Sequence, residues 1–240
     1  MAESPPDHQY KIKVEDICEI YASAQERAAQ GEIIVSLDEM TGIQALERTM
    51  PDIPMKPGRI VKREFEYIRH GTQSLIASFN VATGEIEVAT VGATRTEQDL
   101  ESHVVRLIDK HPTAPQYHIV MDCLNTHQSE ALVRLVARLE AEELDLGVKG
   151  KSGILRSMPS RAEYLSDASH RLVVHFTPKH CSWLNQIEIW FGILVRKLLR
   201  RADFTSTEKL KQRILEFVDY VNRTMAKPFK WTYKGKPLAA

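Results

Sequence analysis

The stretch that decides the fold is HFTPKHCSWLNQIEIWFGILVRKLLRR, residues 175–201. Apolar residues recur there at three- and four-residue steps (Trp183, Ile187, Trp190, Leu194, Leu198), which predicts an amphipathic helix. A strand-like run at 172–176 and a Pro178 turn precede it, and Ser182 is the expected N-cap. One carboxylate, Glu188, is set among Ile187, Ile189, Trp190 and Phe191. At about 100° per residue, Asn185, Glu188 and Gly192 share one side and form a narrow polar stripe. A carboxylate buried alone would cost several kcal/mol or lose its charge. Glu188 therefore either looks at water from the rim or helps to hold a cation. Carboxylates elsewhere in the chain decide between the two.

Upstream, two strand-like runs end in aspartate. Residues 32–37 (EIIVSL) deliver Asp38, and residues 117–121 (YHIVM), apolar enough for the middle of a sheet, deliver Asp122. Strand ends are where α/β sheets open to ligands. An aspartate in such a place also caps helices and closes turns, so each alone is ambiguous. Two of them with a glutamate on a polar stripe make a hard-oxygen donor set that suits Mg²⁺ or Mn²⁺. Two such ions, about 4 Å apart, can activate a water or a 3′-hydroxyl and stabilise the leaving oxygen of a phosphodiester. The chain has 32 acidic residues, so counting carboxylates does not by itself single out these three.

The remaining segments frame this set. Residues 11–30 carry Val14, Ile17, Cys18 and Tyr21 at helical spacing, and a Thr41-Gly42 turn is expected after Asp38. Pro51, Pro54, Pro57 and Gly58 mark a loop. Residues 73–81 and 85–91 read as a hairpin joined by Ala82-Thr83-Gly84. Thr96 with Asp99 opens a helix to about 109, and a second helix spans about 129–144. Residues 147–170 read as an insertion with one helical turn near 161–165, and a last helix runs from about 207 to 224. The tail KPFKWTYKGKPL is basic, aromatic and irregular. The order of elements is that of an α/β protein with a five-stranded mixed sheet flanked by helices. Three parts are expected: an N-terminal linker and helix (1–30), a main domain (31–204), and a C-terminal helix with its basic tail (205–240).

Composition bounds the class. With 240 residues, 43% hydrophobic and 27% charged, the chain is an ordinary globular one. It has no run of 18 apolar residues, and its polar start is unlike a signal peptide, so a cytoplasmic protein without a membrane partner is expected. Cys18, Cys123 and Cys181 are far apart and odd in number, which argues against a disulfide framework or a structural zinc site. Net charge is zero, yet residues 171–240 hold 14 Lys and Arg against 5 Asp and Glu, a net of +9, which leaves −9 for the rest. That asymmetry suggests a basic surface for phosphates, or else a solvated helix face. It also argues against a carboxylate-pair glycosidase.

Four segments, VSLDEMTGIQALER, EFEYIRHGT, HIVMDCLNTH and HFTPKHCSWLNQIEIWF, together resemble the catalytic domain of bacterial insertion-sequence transposases of the mariner-related DDE superfamily. They occur in the family's order from about residue 14 to 204. The resemblance implies a ribonuclease H-like fold, Asp38, Asp122 and Glu188 as catalytic and metal-holding residues, and two Mg²⁺ or Mn²⁺ ions. It implies DNA as partner, both element ends and target, with a homodimer formed on DNA and a nucleoid-associated location. Lys179, His180, Arg196, Lys197, Arg200 and Arg201 would contact DNA. Asn125 and His127 would brace the Asp122 loop or touch the backbone, and Trp183 would meet phosphate or join the core. A structural hydrogen-bonding role suits Arg69 and His70. Met40 and Cys123 depart from the family's usual residues beside the first and second aspartates. Relatives carry an N-terminal helix-turn-helix region, so a truncated product, a separate reading frame or a fragment is expected here. Two other readings stay open: a related nuclease that cuts without joining, and a non-catalytic DNA-binding remnant.

Overall fold

The computed structural model describes residues 10–50, 55–58, 60, 66–141, 144–200 and 202–233. Five strands, β1 (Ile33–Arg48), β2 (Tyr67–Asn80), β3 (Ile86–Gly92), β4 (Tyr117–Met121) and β5 (Leu172–Phe176), form one mixed sheet in the order β3-β2-β1-β4-β5. The β1–β2 and β2–β3 pairs are antiparallel, whereas β1–β4 and β4–β5 are parallel. Every residue of β4 and β5 is buried, as suits parallel strands covered on both faces.

Alternation along β1 sends Val35 and Leu37 to one face, where they meet α2 (Glu97–Lys110), α3 (Glu130–Leu139) and α4 (Met158–Leu165) through Leu100, Val104, Leu132, Val136 and Leu165. Ile34 faces the other way. There α1 (Tyr10–Ala29) covers it with Ile17, Ile20 and Tyr21. On the same side, α5 (Ile187–Leu194) and α6 (Thr207–Thr224) pack Ile187, Trp190, Leu194, Leu210 and Ile214 onto Leu75, Ala77 and Phe79. The capping box of α2 is present, with Thr96 and Asp99 each bonding the other's backbone. Among the described residues, no helix is long and apolar enough to cross a membrane.

The structure corrects several expectations. Thr41-Gly42 is not a turn but a bulge inside β1: the register moves from Met40↔Leu75 to Ile43↔Gln73, and Gly42 takes φ +65° to absorb the extra residue. The strand continues because β2 is long enough to pair with it. The helix after Ser129 stops at Leu139, and residues 158–165 make a capped two-turn helix rather than one turn. As far as Tyr233 the tail is irregular yet packed: Phe229 stacks on Phe79 at 4.7 Å, and Trp231 meets Tyr21 edge-on at 5.0 Å.

The decisive stretch is also not one helix. Ser182–Leu184 forms a 3₁₀ turn, Asn185 leaves it with extended backbone (ψ 107°), α5 follows, and Val195–Leu199 closes as a π-helical turn. Ser182 therefore caps nothing in α5, whose start at Gln186 has no side-chain cap. Asn185 stands outside the helix, so the expected stripe reduces to Glu188 and Gly192. Trp183, displaced from the helical face by the same break, is 50% exposed and lies edge-on to Tyr233.

Candidate metal centre

The parallel register brings the two aspartates together. Val35 pairs with Ile119 and Ser36 with Val120, after which the ladder ends. Two residues further along each strand stand Asp38 and Asp122, on the face that α1 and α5 cover. Side chains side by side on one face of a parallel pair are neighbours. Carboxylate oxygens of Asp38 and Asp122 and a ring nitrogen of His127 all lie within 4.8 Å of one another, the only such grouping of His, Cys, Asp and Glu among the described residues.

Each aspartate is held from behind. Asp38 accepts a hydrogen bond from the Glu39 N–H at 2.7 Å on Oδ1 and from the Asn185 amide at 3.3 Å on Oδ2. The same Asn185 amide donates to the Leu37 carbonyl at 2.9 Å, and its oxygen accepts from the Ser36 hydroxyl. Ser36 Oγ in turn accepts the Ile187 N–H at 2.8 Å, the first residue of α5. The break at Asn185 thus has a physical reason: its side chain bonds β1 at the point where Asp38 emerges. Asp122 Oδ1 accepts from the Leu124 N–H at 2.9 Å and faces His127 Nδ1 at 2.7 Å. His127 is wholly buried, and its Nε2 lies 3.0 Å from Glu39 Oε2. With both ring nitrogens engaged by carboxylates, His127 is closed to a cation.

Electrostatics follow from this crowding. Burial, joined by the charge of Asp122, pushes the Asp38 carboxyl up to about 7. For Asp122, burial is outweighed by the hydrogen bond and charge of His127, and its carboxyl sits below the usual range. Burial opposes charge on His127, but Asp122 and Glu39 prevail and push it up to about 10. Glu188 is exposed on α5; its carboxyl is raised by partial burial and then by Asp122, which puts it within electrostatic reach of Asp122 although outside the tight cluster. Repelling carboxylates with oxygens left facing one another fit a hard divalent cation.

The other expected contacts are distributed around this centre. Lys179 and His180 are exposed in the turn after β5, where the Thr177 N–H bonds the Met121 carbonyl beside Asp122, and His180 has φ +62°. Arg196, Lys197 and Arg200 are exposed on the π-helical turn and its end. Arg196 lies over Gly192, where an added Cβ would stand 3.1 Å from its guanidinium, so the Glu188 face of α5 runs on into a cation. Arg196 and Lys197 also line a cleft of about 760 Å³ with Arg213 and Tyr220 of α6. Arg201 lies outside the described residues, as do Lys234 and Lys236 of the tail. Asn125 is exposed, while His70 bonds Glu47 at 2.6 Å and Arg69 lies over Tyr67. Sequence reasoning missed Ser36, Glu39, Asn185 as a brace, and Arg95, whose charge acts on Asp122. Only alternation could have found Ser36, two residues before Asp38 on its own face.

A five-stranded mixed sheet in this order, flanked by helices and carrying paired aspartates where its parallel strands end, defines a ribonuclease H-like domain. The chain belongs to the DDE superfamily endonucleases, whose family model matches residues 33–211. Similar solved structures include the Mos1 mariner paired-end complex with Mn (14% identity, TM-score 0.55, covering 92% of this chain and 58% of that one). The Mos1 strand transfer complex is similar too (14%, 0.54, 90% and 56%). So is the Mos1 transposase catalytic domain with raltegravir and Mg (11%, 0.50, 90% and 85%). At these identities the likeness is one of fold. The chain thus spans under three-fifths of the length of the Mos1 chain in the paired-end complex. No curated protein matches it by sequence.

Proposed function

We propose that this chain is the catalytic part of a DDE transposase, cutting DNA and joining the freed 3′ end to a target with two Mg²⁺ or Mn²⁺ ions. The observation that carries this reading is the meeting of Asp38 and Asp122 at matched register, with Glu188 in electrostatic reach. Asp38, Asp122 and Glu188 would hold the ions. A divalent cation bound there supplies Lewis acidity to the phosphodiester and lowers the pKa of the attacking water or hydroxyl. The protein's own contribution is positioning. Asn185 and the Glu39 N–H fix Asp38, His127 and the Leu124 N–H fix Asp122, and the packed face of α5 fixes Glu188. Lys179, His180, Arg196, Lys197, Arg200 and Arg201 bind phosphates along the approach. Residues 31–204 carry the chemistry and two copies act together on DNA; of the flanks 1–30 and 205–240, α1, α6 and the segment to Trp231 cover the α5 side of the sheet.

The test is plasmid nicking in Mn²⁺, with joining of a 3′-hydroxyl oligonucleotide measured in parallel. Asp38→Asn and Glu188→Gln should each abolish both products while unfolding remains cooperative. Nicking that persists in either variant would overturn the assignment. Nicking without joined product in the wild type would favour a nuclease. DNA binding with neither product, unaffected by loss of all three carboxylates, would favour a non-catalytic binding protein.

A further inference from the structure

We infer that Glu39 is a positioning residue for Asp122, acting through the buried ring of His127 to select which carboxylate oxygen of Asp122 faces the metal. The inference rests on the reading of Asp38 and Asp122 as the metal-holding pair. Glu39 follows Asp38 on β1, so its side chain leaves the opposite face of the strand, the side on which Val35 and Leu37 meet α2 and α3. Its side chain is 1% exposed. A carboxylate in such a place is unfavourable unless it is fully bonded. This one is not: Oε2 meets His127 Nε2 at 3.0 Å, and Oε1 is buried with no hydrogen-bond partner. Core packing alone would be better served by an apolar side chain of the same length.

What Glu39 provides is direction. By accepting at Nε2 it fixes the ring plane and turns Nδ1 toward Asp122, 2.7 Å from Oδ1 and 3.0 Å from the main-chain carbonyl of the same residue. Without that partner nothing else among the described residues holds Nε2, and the ring plane that aims Nδ1 at Oδ1 is no longer fixed. With it, Oδ1 is engaged by the Leu124 N–H and by the ring of His127 2.7 Å away, and Oδ2 is left for the cation. Residues that orient a metal ligand from behind typically change metal affinity about 10- to 100-fold when removed.

Mn²⁺ titration by calorimetry on the full chain, alongside thermal unfolding, tests this with wild type, Asp122→Asn, Glu39→Ala and Glu39→Gln. The expected result is that Glu39→Ala weakens Mn²⁺ binding about 10- to 100-fold and lowers the melting temperature, since the buried His127 Nε2 loses its partner. Glu39→Gln, whose amide oxygen still accepts from Nε2, should recover most of the affinity. If Glu39→Ala unfolds without cooperativity, Glu39→Met takes its place in the same titration. Weakened binding in Asp122→Asn together with unchanged binding in Glu39→Ala (or Met) would overturn the positioning role and leave the metal site standing. Wild-type affinity in Asp122→Asn would instead overturn the metal site, and this inference with it.

Discussion

His103 shows how single side chains tie the helices to this sheet. It is wholly buried on α2, with Nε2 2.7 Å from the Ser78 hydroxyl of β2 and Nδ1 2.8 Å from the Thr90 hydroxyl of β3. Burial, and then the charge of Arg106, push its pKa down to about 3. His118 on β4 is likewise lowered, to about 4, by burial and by His175 and Arg27. A depressed base contributes stability above its unfolded pKa of about 6.5 and loses it as pH falls toward the folded value. For His103 the loss between pH 7 and pH 5 is about 2 kcal/mol. Asp38, with its raised pKa, works in the opposite sense in that window, so the informative quantity is a difference. Urea unfolding at pH 7 and pH 5 should show a pH dependence about 2 kcal/mol shallower in His103→Gln than in wild type. Equal dependence in the two proteins would mean that His103 titrates normally in the fold.

Among the elements, the segment 226–233 does the most that its composition does not announce. It crosses the β2–β3 hairpin and α1, seating Phe229 on Phe79 and Trp231 on Tyr21. Tyr21 also donates to the Leu184 carbonyl at 2.9 Å, so the strap, α1 and the turn that leads into α5 form one packed unit. The closest approach is at Gly84, which has φ +81° and no room for a side chain: an added Cβ would lie 2.1 Å from the Lys227 carbonyl. Gly84→Ala should therefore destabilise the protein by at least about 2 kcal/mol, from left-handed backbone strain and the clash together. It should also shift tryptophan emission to the red as Trp231 is exposed. Unchanged emission would mean the strap does not depend on the hairpin.

At the scale of the whole molecule, the +9 balance of residues 171–240 comes chiefly from Arg196, Lys197, Arg200 and Arg201 after α5 and from Lys227, Lys230, Lys234 and Lys236 of the tail, whereas α5 itself carries only Glu188 and α6 nets +1. Arg196, Lys197 and Arg200 extend the Glu188 side of the molecule into exposed cations. If DNA follows that path, log affinity falls with log salt at a slope of about −0.9 per neutralised phosphate. Replacing these three by Ala should reduce the magnitude of that slope by about 2 to 3, measured by fluorescence anisotropy on a duplex of arbitrary sequence. An unchanged slope would locate the phosphate contacts elsewhere.

The amino-acid sequence alone determined the local elements and their order. The periodicity of residues 97–110 and 207–224, the Thr96 capping box and the buried runs at 117–121 and 172–176 are short-range properties, and they survive folding unchanged. Asp38 and Asp122 were legible as strand ends for the same reason. Tertiary structure decided what no local pattern records. The pairing of Met40 with Leu75 turned an expected Thr41-Gly42 turn into a bulge. Asn185, whose spacing places it on a helix, left the helix because its amide could satisfy the Leu37 carbonyl and Asp38 together. Glu39 and His127, 88 residues apart, found each other only across the folded sheet. Hydrogen bonds between distant residues outweigh helical spacing at one or two positions, since a buried polar group left unpaired costs more than a broken turn. The candidate metal centre lies beside those positions.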